Sequence, residues 1–160
     1  MSQGPHLIAA VLCDQILEAK DGTLSAIRIV DTVTLTSIPP ETPITDVQGT
    51  LSPGLVNFNL LLILKPGDFR GRGKIRIDLT TPSAESLPAR TIDVEFFSGE
   101  KGQNLILRGA FQPTQEGTYL FEIYFEEKLL TCSPLAVQIV QSDSKTMTNG
   151  EAQANQEEKR

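Results

Sequence analysis

Tryptophan is absent from the chain, histidine occurs once and cysteine twice among 160 residues. Each scarcity excludes chemistry. A Ser-His-Asp or Cys-His arrangement needs a base held within hydrogen-bond reach of its nucleophile. His6, beside Pro5 and ahead of the first apolar stretch, is poorly placed for that and is read as incidental. One histidine and two cysteines at unrelated positions have no zinc-ligand spacing, and no D-x-D-x-D-G run offers a calcium loop. No cofactor is expected. No apolar run reaches the roughly 18 residues a membrane helix needs. The opening MSQGPH lacks a positive region, and the apolar stretch after it carries Asp14 and Glu18, so no secretory signal is read and a cytoplasmic location is expected. The formal charge of −6, from 14 Lys+Arg against 20 Asp+Glu, argues against a nucleic-acid partner. The length suits one domain with a core of its own.

What is abundant is alternation. Ile75, Ile77 and Leu79 interleave with Lys74, Arg76 and Asp78, and Ile92, Val94 and Phe96 with Asp93 and Glu95. Tyr119, Phe121, Ile123 and Phe125 interleave with Glu122, Tyr124 and Glu126, and Leu135, Val137 and Ile139 with Ala136 and Gln138. A period of two predicts strands with one face on a core and one in water. Leu7 to Cys13 and Leu55 to Leu64 are more uniformly apolar, as is Ile27 to Leu35, and these three read as central or doubly covered strands. Leu105, Leu107 and Phe111 make one more strand, in which Gly109 reads as a bulge.

Turn residues fall between these segments. Asp21-Gly22 marks a hairpin turn, Pro82 and Pro88 break the stretch from Leu79 to Ile92, and Gly117 opens the Tyr119 strand. The long connection from Ser37 to Gly54, with four prolines, suits a crossover between two sheets, with a short strand expected within Ile44 to Leu51. No sustained helical stripe occurs. About eight strands, or nine with that short one, predict an all-β antiparallel sandwich over residues 1–140. Residues 141–160 are polar apart from Met147 and two alanines, and read as a disordered tail.

Gly117-Thr118-Tyr119-Leu120-Phe121-Glu122-Ile123 and Ser133-Pro134-Leu135-Ala136-Val137 resemble the last two strands of immunoglobulin-like sandwiches. In those folds the tyrosine anchors the preceding connection through its hydroxyl. Val11-Leu12-Cys13-Asp14 followed by Asp21-Gly22-Thr23-Leu24-Ser25, with the closing G-x-Y-x-F, resembles an uncharacterised bacterial family, a domain of unknown function. The resemblance covers residues 7 to 140. It implies the sandwich and supplies no activity or site residues. The chain departs from it at Glu126-Glu127-Lys128, where such domains turn on Asp-Gly or Asn-Gly, so a two-residue turn is not expected there.

Cys13 and Cys132 read as reduced, mostly buried thiols rather than a cross-sheet disulfide, and Asp14 beside Cys13 makes that thiol a poor nucleophile. The acids Asp78, Asp93, Glu95, Glu122 and Glu126 fall at outward positions and read as a solvated face. One segment, Lys65 to Arg76, concentrates Lys65, Arg70, Arg72, Lys74 and Arg76 with three glycines on an otherwise acidic domain. Its alternatives are an anion or acidic-partner contact and a soluble loop whose charges deter edge aggregation. Sheet edges could recruit a protein partner or a second copy. A non-enzymatic protein-interaction or structural module is therefore expected, with an anion-binding domain as the alternative.

Overall fold

The alternating residues fold as strands whose apolar sides meet across two sheets. The structure, a computed structural model, describes residues 4–37, 54–97 and 101–141. The expected Ile44–Leu51 strand lies outside the described residues, as do all but the first residue of the expected tail. Nine strands follow in order: β1 (His6–Glu18), β2 (Leu24–Ile29), β3 (Thr32–Ser37), β4 (Val56–Lys65), β5 (Gly71–Thr80), β6 (Ser86–Phe96), β7 (Gln103–Phe111), β8 (Gly117–Phe125) and β9 (Lys128–Gln141). One sheet has the order β2-β1-β4-β7 and the other β3-β9-β8-β5-β6. The runs β1-β4-β7 and β9-β8-β5 have the A-B-E and G-F-C orders of an immunoglobulin-like sandwich.

The core lies between the sheets. Leu12, Leu60, Leu62 and Leu64 from one face meet Ile75, Ile77, Phe121, Ile123, Leu135 and Val137 from the other. Each such side chain contributes about 1.5–3 kcal/mol by leaving water. Tyr119 makes the corner its sequence context implies. Its hydroxyl donates to the Gln115 carbonyl at 3.1 Å and accepts from the Thr114 N–H at 3.2 Å.

Several expectations of the fold need correction. The pairing is not antiparallel throughout, because β3 runs parallel to β9. Ile27 to Leu35 is not one strand. The chain leaves β2 at Ile29 and enters β3, in the other sheet, at Thr32. The Val30 N–H donates to the Leu12 carbonyl and the Asp31 carbonyl accepts from Ala136, so the crossing is tied to both sheets. This split produces the ninth strand. Gly109 is not a bulge. It stays in register with Phe58, and a Cβ there would lie 2.6 Å from Phe58 Cζ. Pro88 does not break the chain but sits within β6, an edge strand that tolerates its missing N–H.

The last hairpin does turn on two residues, with Phe125 paired to Lys128. Glu126 adopts a φ of 51° there without a glycine. Its N–H donates to the Lys74 carbonyl at 2.9 Å and its Oε1 accepts from the Lys74 N–H at 2.8 Å. Those two bonds to β5 offset the backbone strain.

Candidate functional site

The basic segment does not converge on one point. Lys65 ends β4 opposite His6, in the four-stranded sheet, whereas Arg72, Lys74 and Arg76 belong to β5 of the other sheet. Residues 66–70 carry the chain from sheet to sheet. Arg70 folds back over this turn, its Nη1 donating to the Gly67 and Phe69 carbonyls at 2.7 Å each. His6 is no loose terminal residue: a Cβ on Gly67 would lie 2.8 Å from its Nε2. Gly73 also serves packing, because a Cβ there would meet the Phe125 ring at 2.4 Å.

On β5 the odd residues point into the core, so the even ones must face outward. They meet acids from β6, from β5 itself and from the β8–β9 turn. Arg72 Nε lies 2.7 Å from Glu95 Oε1. That hydrogen bond, helped by the charge behind it, raises the guanidinium pKa above its ordinary value. Lys74 stands opposite Asp93 in the β5–β6 register. Arg76 lies 3.3 Å from Asp78 through Nε and 4.0 Å from Glu127 through Nη1. Its guanidinium carbon also sits 4.4 Å above the Tyr124 ring centroid. Asp78 and Glu122 are directly opposed like charges. Thr80 Oγ1 donates to Glu122 at 2.9 Å, and the tyrosine hydroxyl beside it is held protonated to higher pH by burial, then by Glu122 and Asp78. Of the five cations, only Arg72, Lys74 and Arg76 share this polar sheet face, and Arg72 and Arg76 are paired there with carboxylates.

The outer face of the four-stranded sheet is different. Cys13, Ile16 and Leu61 form a second buried cluster, with Val11, Leu24, Ala26, Ile63 and Ile106 packed against it. The cluster uses the side of β1 and β4 that turns away from the main core. Leu7 to Cys13 and Leu55 to Leu64 lack alternation for that reason.

From this face a two-stranded arm extends. β4 pairs with β1 only as far as Cys13, opposite Asn59. Beyond it, Gln15 to Glu18 pair with Leu24 to Ile27 of β2, and β2 is the sheet edge. The arm closes as expected at Asp21-Gly22. Gly22 takes a φ of 82°, and Asp21 Oδ1 accepts from the Thr23 N–H at 2.9 Å, which lowers the Asp21 carboxyl pKa. Register puts Ile16 and Ala26 on one face of the arm and Leu17 and Ile27 on the other. Leu17 is 46% exposed, Ile27 36% and Ile29 72%. The sequence showed these residues as apolar but did not show that β4 stops short of Leu17 and Ile27.

The cysteines are free and lie in different sheets. Cys13 is buried as expected, and burial first, then the Asp14 charge, raises its thiol pKa above the ordinary 9.0. Cys132 is exposed, contrary to expectation, because it falls on the outward side of β9 opposite Glu122. No group of three or more His, Cys, Asp or Glu among the described residues is arranged to hold a metal ion. Among the same residues no helix is long and apolar enough to cross a membrane.

No family model matches the chain, and no curated protein matches it. Among solved structures it is similar to the CARDB domain of a Pyrococcus furiosus protein, determined in complex with di-metal ions. The two share 12% sequence identity with a TM-score of 0.39, over 88% of this chain and 98% of that one. A likeness of this extent transfers neither the metal ions nor a function.

Proposed function

We propose that the domain is a non-enzymatic interaction module that assembles with a second copy of itself by adding strand to strand along β2. The exposed, apolar two-stranded arm carries this reading. An edge strand offers unpaired backbone groups to another strand, and a two-stranded ribbon gains stability from a third strand. Leu24-Ser25-Ala26-Ile27-Arg28-Ile29 holds one charge. In an antiparallel pairing centred on Ile27, Arg28 meets Ala26 of the other copy, so like charges do not oppose each other. The pairing is isologous and closes on itself, and it joins two four-stranded sheets into one.

Disulfide trapping tests the contact. In a Cys132→Ser background, a cysteine placed at Ile27, which meets its own copy in this register, is expected to give a covalent dimer under mild oxidation. A cysteine at Thr34, on β3, serves as the control. Equal cross-linking at Thr34 and on β2, or none on β2, contradicts the proposal.

The alternative is an anion site on Lys65, Arg70, Arg72, Lys74 and Arg76. It has less geometric support, because Arg72 and Arg76 already face carboxylates and Arg70 binds its own turn. It predicts a phosphate-dependent rise in melting temperature that disappears in Arg70→Ala/Arg72→Ala.

A further inference from the structure

On the side of the sandwich away from the arm, the edges β6 and β7 face each other from opposite sheets. Two side chains reach across. Gln103 Nε2 donates to the Glu95 carbonyl, and Arg90 Nη1 reaches the Arg108 carbonyl at 3.4 Å. Beside Arg90 the edges part, and a cleft of about 330 Å³ enters the core. Phe58, Leu87, Leu107, Phe111 and Phe121 line it, with Arg90 and Gln112 as its polar members.

Two features mark this as a shaped opening. Phe58 is on the core-facing side of a central strand, yet it is only half-buried, because cavities flank it on both sides. Its ring centroid lies 4.8 Å from that of Phe121 and 6.2 Å from that of Phe111. Opposite it, Gly109 supplies no side chain to close the wall, and a Cβ there would collide with the Phe58 ring. Such a volume, apolar with few polar groups, is in the range of small-molecule sites. Arg90 has no carboxylate partner among the described residues. Its one bond to a carbonyl is long and little is lost in giving it up.

We propose that this cleft binds a medium-length hydrocarbon chain ending in a carboxylate. The chain packs on Phe58, Phe111 and Phe121, and the carboxylate meets the guanidinium of Arg90 at the rim. The fork of donors on arginine suits a planar carboxylate, and the apolar walls reject a charged group deeper in. This inference is independent of the arm.

Calorimetric titration of the full chain tests it with decanoate below its micellar concentration, decanol and butyrate. Saturable binding is expected for decanoate and decanol, and not for butyrate, which has the head group without the chain. Arg90→Gln should weaken decanoate by about tenfold and leave decanol unchanged. Leu87→Phe, which fills the cleft from β6, should abolish both at an unchanged melting temperature. Should that variant melt early, Gln112→Phe, at the exposed rim, tests the same filling. No saturable decanoate heat overturns the proposal, as does an Arg90→Gln variant that binds decanoate like the wild type, or a folded filling variant that still binds it.

Discussion

The two outer faces of the sandwich are built on opposite chemistries. Across β6, β5 and β8, Arg72 meets Glu95, Lys74 stands opposite Asp93, and Arg76 lies between Asp78, Glu127 and the Tyr124 ring. Across β7, β4 and β1, Ile106, Leu61, Ile63, Val11 and Cys13 make an apolar layer. The first face is polar and carries its own ion pairs, with Arg76 Nε and Asp78 Oδ1 left without a hydrogen-bond partner among the described residues. The second continues into an arm whose edge strand is hydrogen-bonded on one side only and which leaves Leu17 and Ile27 in solvent. A sheet face whose charges are matched asks for no partner, whereas an apolar face that runs into an open edge does.

Substitutions can break or sharpen this contrast. The largest effect is expected for Leu61→Asp, which places an unpaired charge where the side chain is 5% exposed. The loss should be about 4 kcal/mol in chemical denaturation. A loss below about 0.5 kcal/mol, typical of a solvated surface, would make the two faces alike. Tyr119→Phe, which removes the corner hydroxyl common to both halves of the fold, should cost about 1–2 kcal/mol. On the polar face, Arg76→Ala should cost only about 1 kcal/mol, and high salt should shrink the difference. A salt-insensitive loss would assign that residue to packing through its stem instead.

The thiols report the same contrast at the smallest scale. Cys132 should react with a disulfide reagent in the native protein, and Cys13 only on unfolding. The folded-state pKa of Cys13 is raised, so the folded state binds its proton more tightly than the unfolded state. The stability linked to it is fully present below the ordinary value of 9.0 and falls as pH rises past that value toward the folded pKa. Cys13→Ala should flatten the alkaline limb of a stability profile. An unchanged limb would mean that this thiol is not the group responsible.

Much of the architecture was legible in the sequence, because local patterns encode which side of a strand is wet. Alternation located β5, β8 and β9, and the uninterrupted apolar runs identified β1 and β4 as strands covered on both faces. The passage from β2 to β3 was not legible. Ile27, Ile29, Val33 and Leu35 keep one parity straight through the crossing, so the pattern does not break where the chain changes sheets. The match between Arg72 and Glu95 was not legible, because they stand 23 positions apart in the chain. The arm and the cleft depend on where β4 stops and where β6 and β7 part. Those are properties of long-range pairing, and local periodicity does not carry them.

Sedimentation equilibrium over a wide concentration range, comparing the wild type with Ile27→Asp/Ile29→Asp, bears most directly on the claim that the β2 edge is an assembly surface. The expected result is a wild-type mass rising from the 17.5 kDa of one chain toward twice that value, with the folded variant staying at one chain. A wild type that remains monomeric throughout, or a variant that associates equally well, would contradict it.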